Sequence, residues 1–242
     1  MKRWLAGLGL FFLLAFLFSV RSSLAADLAV VADAEFEDTV TALRKSLDFV
    51  LLKGEELRKD LCDYPRLLIL GPESYLRIKD RPCPGQKRYL GGVLYPGLLG
   101  VSPEVRLISP LPSCRLLRHY GRAWVVLRSR YLTYYLDYIR SCFPLRELRV
   151  KTPYELAQVL PSLRRYLAEG FRLLVLPDPI LVSEKGQAFL REFLAREHPR
   201  GVDLLGISEG GLPSPPFSPE VYAHTAIQAL AEDRSLFYRG AP

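Results

Sequence analysis

The sequence predicts an α/β protein made of two doubly wound parallel-sheet lobes, and three observations predict it. Short continuous apolar runs, such as Leu173 to Leu176, suit strands buried on both faces of a parallel sheet. Stretches with apolar residues at three-to-four spacing alternate with those runs, as in Pro153 to Ala168 with Leu156, Val159, Leu160, Leu163 and Leu167. Between residues 96 and 121 the composition changes to Pro96, Gly97, Gly100, Pro103, Pro110, Pro112 and Gly121, a crossing between two separate alternations. The 242-residue chain therefore divides into lobes of roughly 100 residues each.

The elements follow in order. Lys2 and Arg3 precede an almost wholly apolar run from Trp4 to Val20, and Ser23-Leu24-Ala25 offers small residues for cleavage before Ala26. Residues 1–25 thus read as an export signal. The run is 17 residues, at the lower edge of a bilayer span, so an uncleaved membrane anchor is the alternative. Strands are expected at Leu28 to Ala32, Leu47 to Leu52, Arg66 to Leu70, Leu90 to Tyr95 and Val105 to Ile108. Further strands are expected at Ala123 to Leu127, Leu145 to Val150, Leu173 to Leu176 and Val202 to Leu205. Helical stretches are Phe36 to Lys45, the tyrosine-rich Thr133 to Ile139, Pro153 to Ala168 and Pro219 to Ala231. Thr152 before Pro153 is a start signal, and Gly170 a stop. Pro177 and Pro179 end the strand before them and hold Asp178 in a rigid turn, after which Ser183 begins another helix as its N-cap. The expected division is 26–118 for a compressed amino-terminal lobe, 119–207 for the second lobe, and 208–242 for a return segment and helix packing towards the first lobe.

Loss of the signal removes Lys2, Arg3 and Arg21, leaving 30 basic against 26 acidic residues and a mild net charge of +4. The basic residues are scattered, with no long run and no aromatic-interleaved stripe, which argues against nucleic acid as a partner. Four cysteines, Cys62, Cys83, Cys114 and Cys142, sit in a chain headed for an oxidising compartment, where disulfides persist. They permit three complete pairings. The expected one joins Cys62 to Cys83 around the strand at Arg66, with Cys114 and Cys142 either paired or buried free. No C-x-x-C spacing occurs and histidines number three, so no metal or cofactor is expected.

The ordered strand-end motifs resemble a known family. They are Arg66-Leu-Leu-Ile-Leu-Gly-Pro-Glu-Ser74, Gly92-Val-Leu-Tyr-Pro96, Leu99-Gly-Val-Ser102, Ala123-Trp-Val-Val-Leu127, Leu174-Val-Leu-Pro-Asp-Pro179, Gly206-Ile-Ser-Glu-Gly210 and Ser218-Pro-Glu-Val-Tyr222. Together, over about residues 62 to 232, they resemble the substrate-binding proteins of ABC transporters. The group concerned is type I periplasmic-binding-protein-like, and its described ligands include aromatic amino acids. The resemblance implies two lobes with an interlobe cleft, capture of a small solute by lobe closure without chemistry, and presentation to an ABC permease in the inner membrane by a monomeric, periplasmic protein. It places Asp33, Glu73, Ser74, Tyr95, Ser129, Tyr131, Asp178, Ser208 and Glu209 at the cleft as ligand-binding residues, with Glu35 near them. Asp178 and Glu73 suit an ammonium group. Tyr95 or Tyr131 suits stacking, and Ser74 and Ser129, near helix starts, suit a carboxylate. The same residue types also serve as caps and turns. Two departures stand out. The first lobe leaves little room between its first strand and Arg66, and the loop Arg128-Ser129-Arg130-Tyr131 is more basic than the family's small polar loop. The compressed lobe motivates the alternative function, an envelope scaffold or interaction protein that keeps the fold without transport.

An enzyme is not expected. Gly206-Ile207-Ser208-Glu209-Gly210 matches the G-x-S-x-G nucleophile elbow, yet the required helix cannot follow, because Gly211-Leu212-Pro213-Ser214-Pro215-Pro216 comes next. Glu220 and His224 stand in triad order but lie one turn apart on one helix.

Overall fold

Two sheets organise the computed structural model, which describes residues 27–207, 212 and 218–238. The expected signal at 1–25 and the loop residues Ser208 and Glu209 lie outside the described residues. The strands are β1 (Leu28–Ala32), β2 (Val50–Leu51), β3 (Arg66–Leu70), β4 (Lys87–Gly91), β5 (Arg106–Pro112), β6 (Trp124–Arg128), β7 (Leu145–Arg149), β8 (Arg172–Val175), β9 (Gly201–Asp203) and β10 (Leu236–Tyr238). One sheet has the order β10-β5-β4-β3-β1-β2 and the other β7-β6-β8-β9. Pairing is parallel from β2 through β5 in the first and throughout the second, with Leu28 opposite Arg66 and Val126 opposite Leu174. The helices are α1 (Glu37–Arg44), α2 (Gly54–Lys59), α3 (Pro72–Ile78), α4 (Cys114–Leu117), α5 (Thr133–Cys142), α6 (Leu156–Ala168), α7 (Glu184–Glu197) and α8 (Pro219–Glu232).

The chain forms two compact units. The first comprises the described residues up to Val93, Ser102–Ile108 and Tyr222–Leu236; the second comprises Leu94–Val101, the described residues of Ser109–Val221, and Phe237 with Tyr238. In the first, Val30, Leu68 and Tyr89 from the sheet pack with Val40 and Leu43 of α1 and with Ala226, Ala229 and Leu230 of α8. In the second, alternate residues of one strand face opposite ways. Trp124 and Val126 pack with Tyr135, Leu136 and Ile139 of α5, whereas Val125 and Leu127 pack with Leu156 and Leu163 of α6 and Leu190 and Phe193 of α7. That two-sided burial is what a doubly wound sheet requires, and it explains why β8 reads as an unbroken apolar run. Each fully buried leucine or valine of this kind contributes about 1.5–3 kcal/mol.

Several elements depart from the expected boundaries. β4 ends at Gly91 because Gly92 follows in the left-handed region, at φ 74°, which turns the chain before Val93 to Tyr95. β5 runs on to Pro112 despite two prolines. Its pairing with β4 stops at Ile108, so Pro110 and Pro112 remove no bond from that partner. The strand expected at Leu47 to Leu52 shrinks to the two residues of β2, the physical form of the compression between β1 and β3. Thr152 does not cap the helix after it through its side chain. Glu155 instead accepts from the Lys151 N–H at 2.9 Å, and a single 3-10 turn at Pro153–Glu155 leads into α6. Gly170 does end that helix at φ 91°, and Ser183 caps α7, its Oγ accepting from Gly186 N at 3.2 Å.

Two disulfides form, Cys62–Cys83 and Cys114–Cys142, the first as expected and the second settling the open alternative in favour of pairing. They span 21 and 28 residues, and each limits the unfolded chain by about 3 kcal/mol. Thiol titration of the unreduced, denatured protein should find no free thiol among these four, and reduction should lower the melting temperature.

A charged knot closes the first unit. Asp233 accepts from Lys87 Nζ at 2.7 Å, from the Tyr89 hydroxyl at 2.5 Å and from Arg106 Nε at 2.7 Å. The lysine and tyrosine hydrogen bonds, with the Arg106 charge, pull its carboxyl down to about 2, while burial and Asp233 push the Tyr89 hydroxyl up to about 12. A carboxyl with a depressed native pKa adds stability above its unfolded value that is lost as pH falls through the native one. Acid unfolding should therefore show a loss of stability between about pH 4 and pH 2, and Asp233→Asn should flatten it. Denaturant titrations across that range measure the effect.

Candidate functional site

The expected site residues fall into two groups, one in each unit, at carboxyl ends of neighbouring parallel strands. In the first unit Asp33 follows β1 and the turn Gly71-Pro72-Glu73-Ser74 follows β3. The Asp33 carboxylate accepts from Glu73 N at 3.0 Å, Ser74 N at 2.7 Å and Ser74 Oγ at 2.6 Å. Those amides are orphan donors of the first turn of α3. The approach depends on Gly71, which lies at φ 101° and whose missing Cβ would sit 2.1 Å from Asp33 Oδ2. Ser74 is buried, whereas the Glu73 side chain points to solvent and pairs with Arg77 at 3.1 Å. Glu35 is exposed in the turn after Asp33.

The second unit repeats the device with the roles of the strands exchanged. Ser129 follows β6 and Asp178 follows β8. Asp178 Oδ2 accepts from Ser129 N and Ser129 Oγ, both at 2.8 Å, and Oδ1 accepts from Ile180 N at 2.9 Å. Asp178 is 0 % exposed, and among the described residues these are the three donors to its carboxylate. The flanking Pro177 and Pro179 do what their positions predict. They leave the turn open to these bonds, and Asp178 N closes it on Leu176 O at 2.7 Å.

Around this anchor stand the aromatic residues. Tyr95 and Tyr131 meet edge to face, their ring centres 5.9 Å apart, and the guanidinium of Arg130 lies 5.4 Å from the Tyr131 ring centre. Burial raises the Tyr95 hydroxyl pKa, and the negative Asp178 carboxylate raises it further. Burial likewise pushes Tyr134 up to about 12, although Tyr134 Oη donates to Ser109 Oγ at 2.9 Å and that bond opposes the shift. Both phenols therefore remain neutral donors at ordinary pH. A hollow of about 500 Å³ opens here, lined by Tyr95, Leu98, Arg130, Tyr131, Tyr134 and Asp137 among others. Its size lies within the range of small-ligand pockets.

The backbone that aims these rings is strained. Leu132, the residue before α5, sits at φ 60° and is buried, a left-handed conformation that costs a non-glycine residue about 1–3 kcal/mol. Tyr131 N donates to Ser129 Oγ at 3.3 Å on one side, and Thr133 Oγ1 donates to Arg130 O at 3.2 Å on the other. The basic loop resolves into two arginines with different roles. Arg128 turns inward, donating from Nε to Ser129 O at 2.6 Å and pairing with Glu147 at 3.1 Å, so its charge is internally neutralised. Arg130 faces the hollow.

The structure thus brings together Tyr95, Ser129, Tyr131 and Asp178 in the second unit, and Asp33, Glu73 and Ser74 in the first. Leu98, Arg130, Tyr134 and Asp137 were not foreseen as site residues. Tyr134 and Asp137, three residues apart within α5, fall on one face of that helix, and that spacing is the signal that could have found them.

No protein-family model matches the chain, and no curated protein sequence matches it. Solved structures do. The ligand-free, open structure of CD0873, a substrate-binding protein with adhesive properties from Clostridium difficile, aligns with a TM-score of 0.53 at 12% identity, over 88% of this chain and 89% of that one. An ABC domain in complex with L-Trp from Streptococcus pneumoniae aligns with a TM-score of 0.42 at 8% identity, over 89% and 90%. The first likeness gives the chain a binding-protein-like α/β fold.

Replacing Asp178 by alanine would leave the amides of Ser129 and Ile180 without acceptors in a buried turn. Asp178→Ala should cost about 3–4 kcal/mol of stability, read by denaturant unfolding. An unchanged stability would refute the anchoring role.

Proposed function

We propose that the chain is an exported solute-binding protein of an ABC-type uptake system, and that the aromatic hollow of the second unit holds a flat or apolar part of a small solute, an amino acid or related compound. The observation that carries this reading is the convergence of Tyr95, Tyr131 and Tyr134 on a hollow of about 500 Å³ at the carboxyl ends of parallel strands. In open α/β sheets ligands bind beyond those ends. Arg130 adds a positive charge at the rim, which suits an anionic group of the solute, while Asp137 there is paired with Arg140. Recognition of this kind needs neutral phenols, which tyrosines are at ordinary pH, and burial moves the Tyr95 and Tyr134 hydroxyls further from ionisation. Capture requires no bond to be made or broken, and the implied partner is a permease. The binding-protein-like fold supports the same reading, as does the order of the strand-end motifs.

A second reading, an envelope interaction protein, draws on a different observation. Asp178, one of the two acids expected to suit an ammonium group, and Asp33 are each engaged by three donors of their own chain, and the other, Glu73, pairs with Arg77. The fold neighbour from Clostridium difficile is itself described as having adhesive properties.

A solute panel rich in amino acids, aromatic ones included, tests the first reading by thermal unfolding. A ligand at 100 times its Kd should add about 2.7 kcal/mol and raise the melting temperature, and Tyr131→Ala should abolish the shift. No shift with any solute, together with capture of an outer-membrane or cell-wall protein rather than a permease from envelope extracts, would favour the second reading.

A further inference from the structure

The second unit carries another hollow, of about 470 Å³, at the amino ends of its strands. Its walls include Arg164, Phe171, Arg172, Glu197, His198 and Arg200, contributed by the end of α6, the start of β8, the end of α7 and the residue before β9. Arg164 is committed to its neighbour, donating from Nε and Nη2 to Glu197 Oε1 at 3.0 and 2.6 Å. Arg172 and Arg200 have no side-chain hydrogen bond or ion pair among the described residues, and Arg172 is partly buried. Three guanidiniums thus face one carboxylate. Two helices end here, and their carbonyl ends bring about half a negative charge each, which leaves the hollow positive.

The placement of Arg172 depends on a neighbouring glycine. A Cβ at Gly121 would lie 2.4 Å from Arg172 Cδ and 3.1 Å from its Nε, so the arginine stem lies where any other residue would put a side chain. The guanidinium is thereby held in the hollow instead of extending freely into solvent. Planar forks of this kind bind tetrahedral oxyanions through paired hydrogen bonds. A partly desolvated guanidinium without a counter-charge is unfavourable until one arrives.

We propose that this hollow binds a phosphate-type oxyanion, held between Arg172 and Arg200, either as free phosphate or as the phosphate of a lipid headgroup. The hollow is larger than a phosphate ion needs, which leaves room for a substituent beside Phe171. The proposal stands independently of the solute reading, since its residues lie at the opposite ends of the strands from the aromatic hollow.

The test uses the purified chain at fixed ionic strength in a phosphate-free buffer. Inorganic phosphate is titrated calorimetrically, and phosphatidylglycerol vesicles are compared with phosphatidylcholine vesicles by co-sedimentation. Arg172→Ala and Arg200→Ala should each weaken phosphate binding by roughly tenfold or more. Gly121→Ala, which displaces the arginine without removing it, should weaken binding several-fold while the melting temperature shows the chain still folded. Glu197→Gln, which removes the competing carboxylate and frees Arg164, should strengthen it, a gain that a merely structural role would not produce. Binding of phosphate alone assigns the free ion, and binding of phosphatidylglycerol vesicles that Arg172→Ala abolishes assigns the headgroup. No saturable binding of either probe, or binding that Arg172→Ala and Arg200→Ala leave unchanged, overturns the proposal.

Discussion

The carboxylate at the end of one parallel strand, tied to the serine loop of the strand beside it, is the constraint on which the rest of each unit's carboxyl-end loops depends. A βα loop exposes amide donors that the sheet no longer satisfies and the helix does not yet use. Asp33 meets those of Glu73 and Ser74, and Asp178 those of Ser129 and Ile180. In both units the serine hydroxyl donates to the same carboxylate oxygen as its own amide. The two acids thereby fix the spacing of adjacent loops, β1 with β3 and β6 with β8, in a way that sheet pairing alone does not. Burying such a carboxylate is costly unless several donors surround it, and three do in each case.

Once the loops are fixed, the aromatic residues inherit their positions. Ser129 receives the Tyr131 amide as well as engaging Asp178, and Arg128 holds the Ser129 carbonyl from below. The left-handed Leu132 then takes up the strain of turning directly into α5. Strain of this kind persists only where the surroundings over-determine it, and here a carboxylate, an internal ion pair and a buried leucine do so. The result is a frame that presents tyrosine rings at its rim, in which the acids fix the loops that carry the aromatics.

How much of this was legible in the sequence follows from which forces are local. The strands with continuous apolar runs, β1, β3, β6 and β8, are found within a residue of their expected bounds, because burial on both faces leaves a signal in every residue. Helix α6, with its glycine stop, and α7, with its Ser183 cap, are found because those signals are local too. The short elements α2, α3, α4 and β10 left no such signal, since seven residues or fewer around a turn, or three at a strand edge, have too little periodicity to read. Asp33, Ser74, Ser129 and Asp178 were legible as strand-end polar residues. Their engagement with one another was not, because each bond joins residues 41 or 49 positions apart, and only the parallel register brings them together. The same limit hid Arg172: a strand-initial arginine reads as a solvated charge until Gly121, on the neighbouring strand's approach, is seen to make room for it.

The chemistry of the second unit is accordingly polarised along its strands. At the carboxyl ends the inward arginine, Arg128, is neutralised by Glu147, and the hollow is walled by neutral phenols with a single exposed guanidinium. At the amino ends Glu197 offsets one arginine of three. Helix dipoles alone favour anions at the carboxyl ends of the strands, where helices begin, and cations at the amino ends, where they finish. The arginines at the amino ends outweigh the two helix carbonyl ends beside them, so side chains rather than backbone set the sign of that hollow. The two ends of this sheet thus differ in charge: neutral rings at one, an excess of guanidinium at the other. That difference needs no change in the fold, because the side chains at the strand ends vary while the buried apolar runs between them hold the sheet.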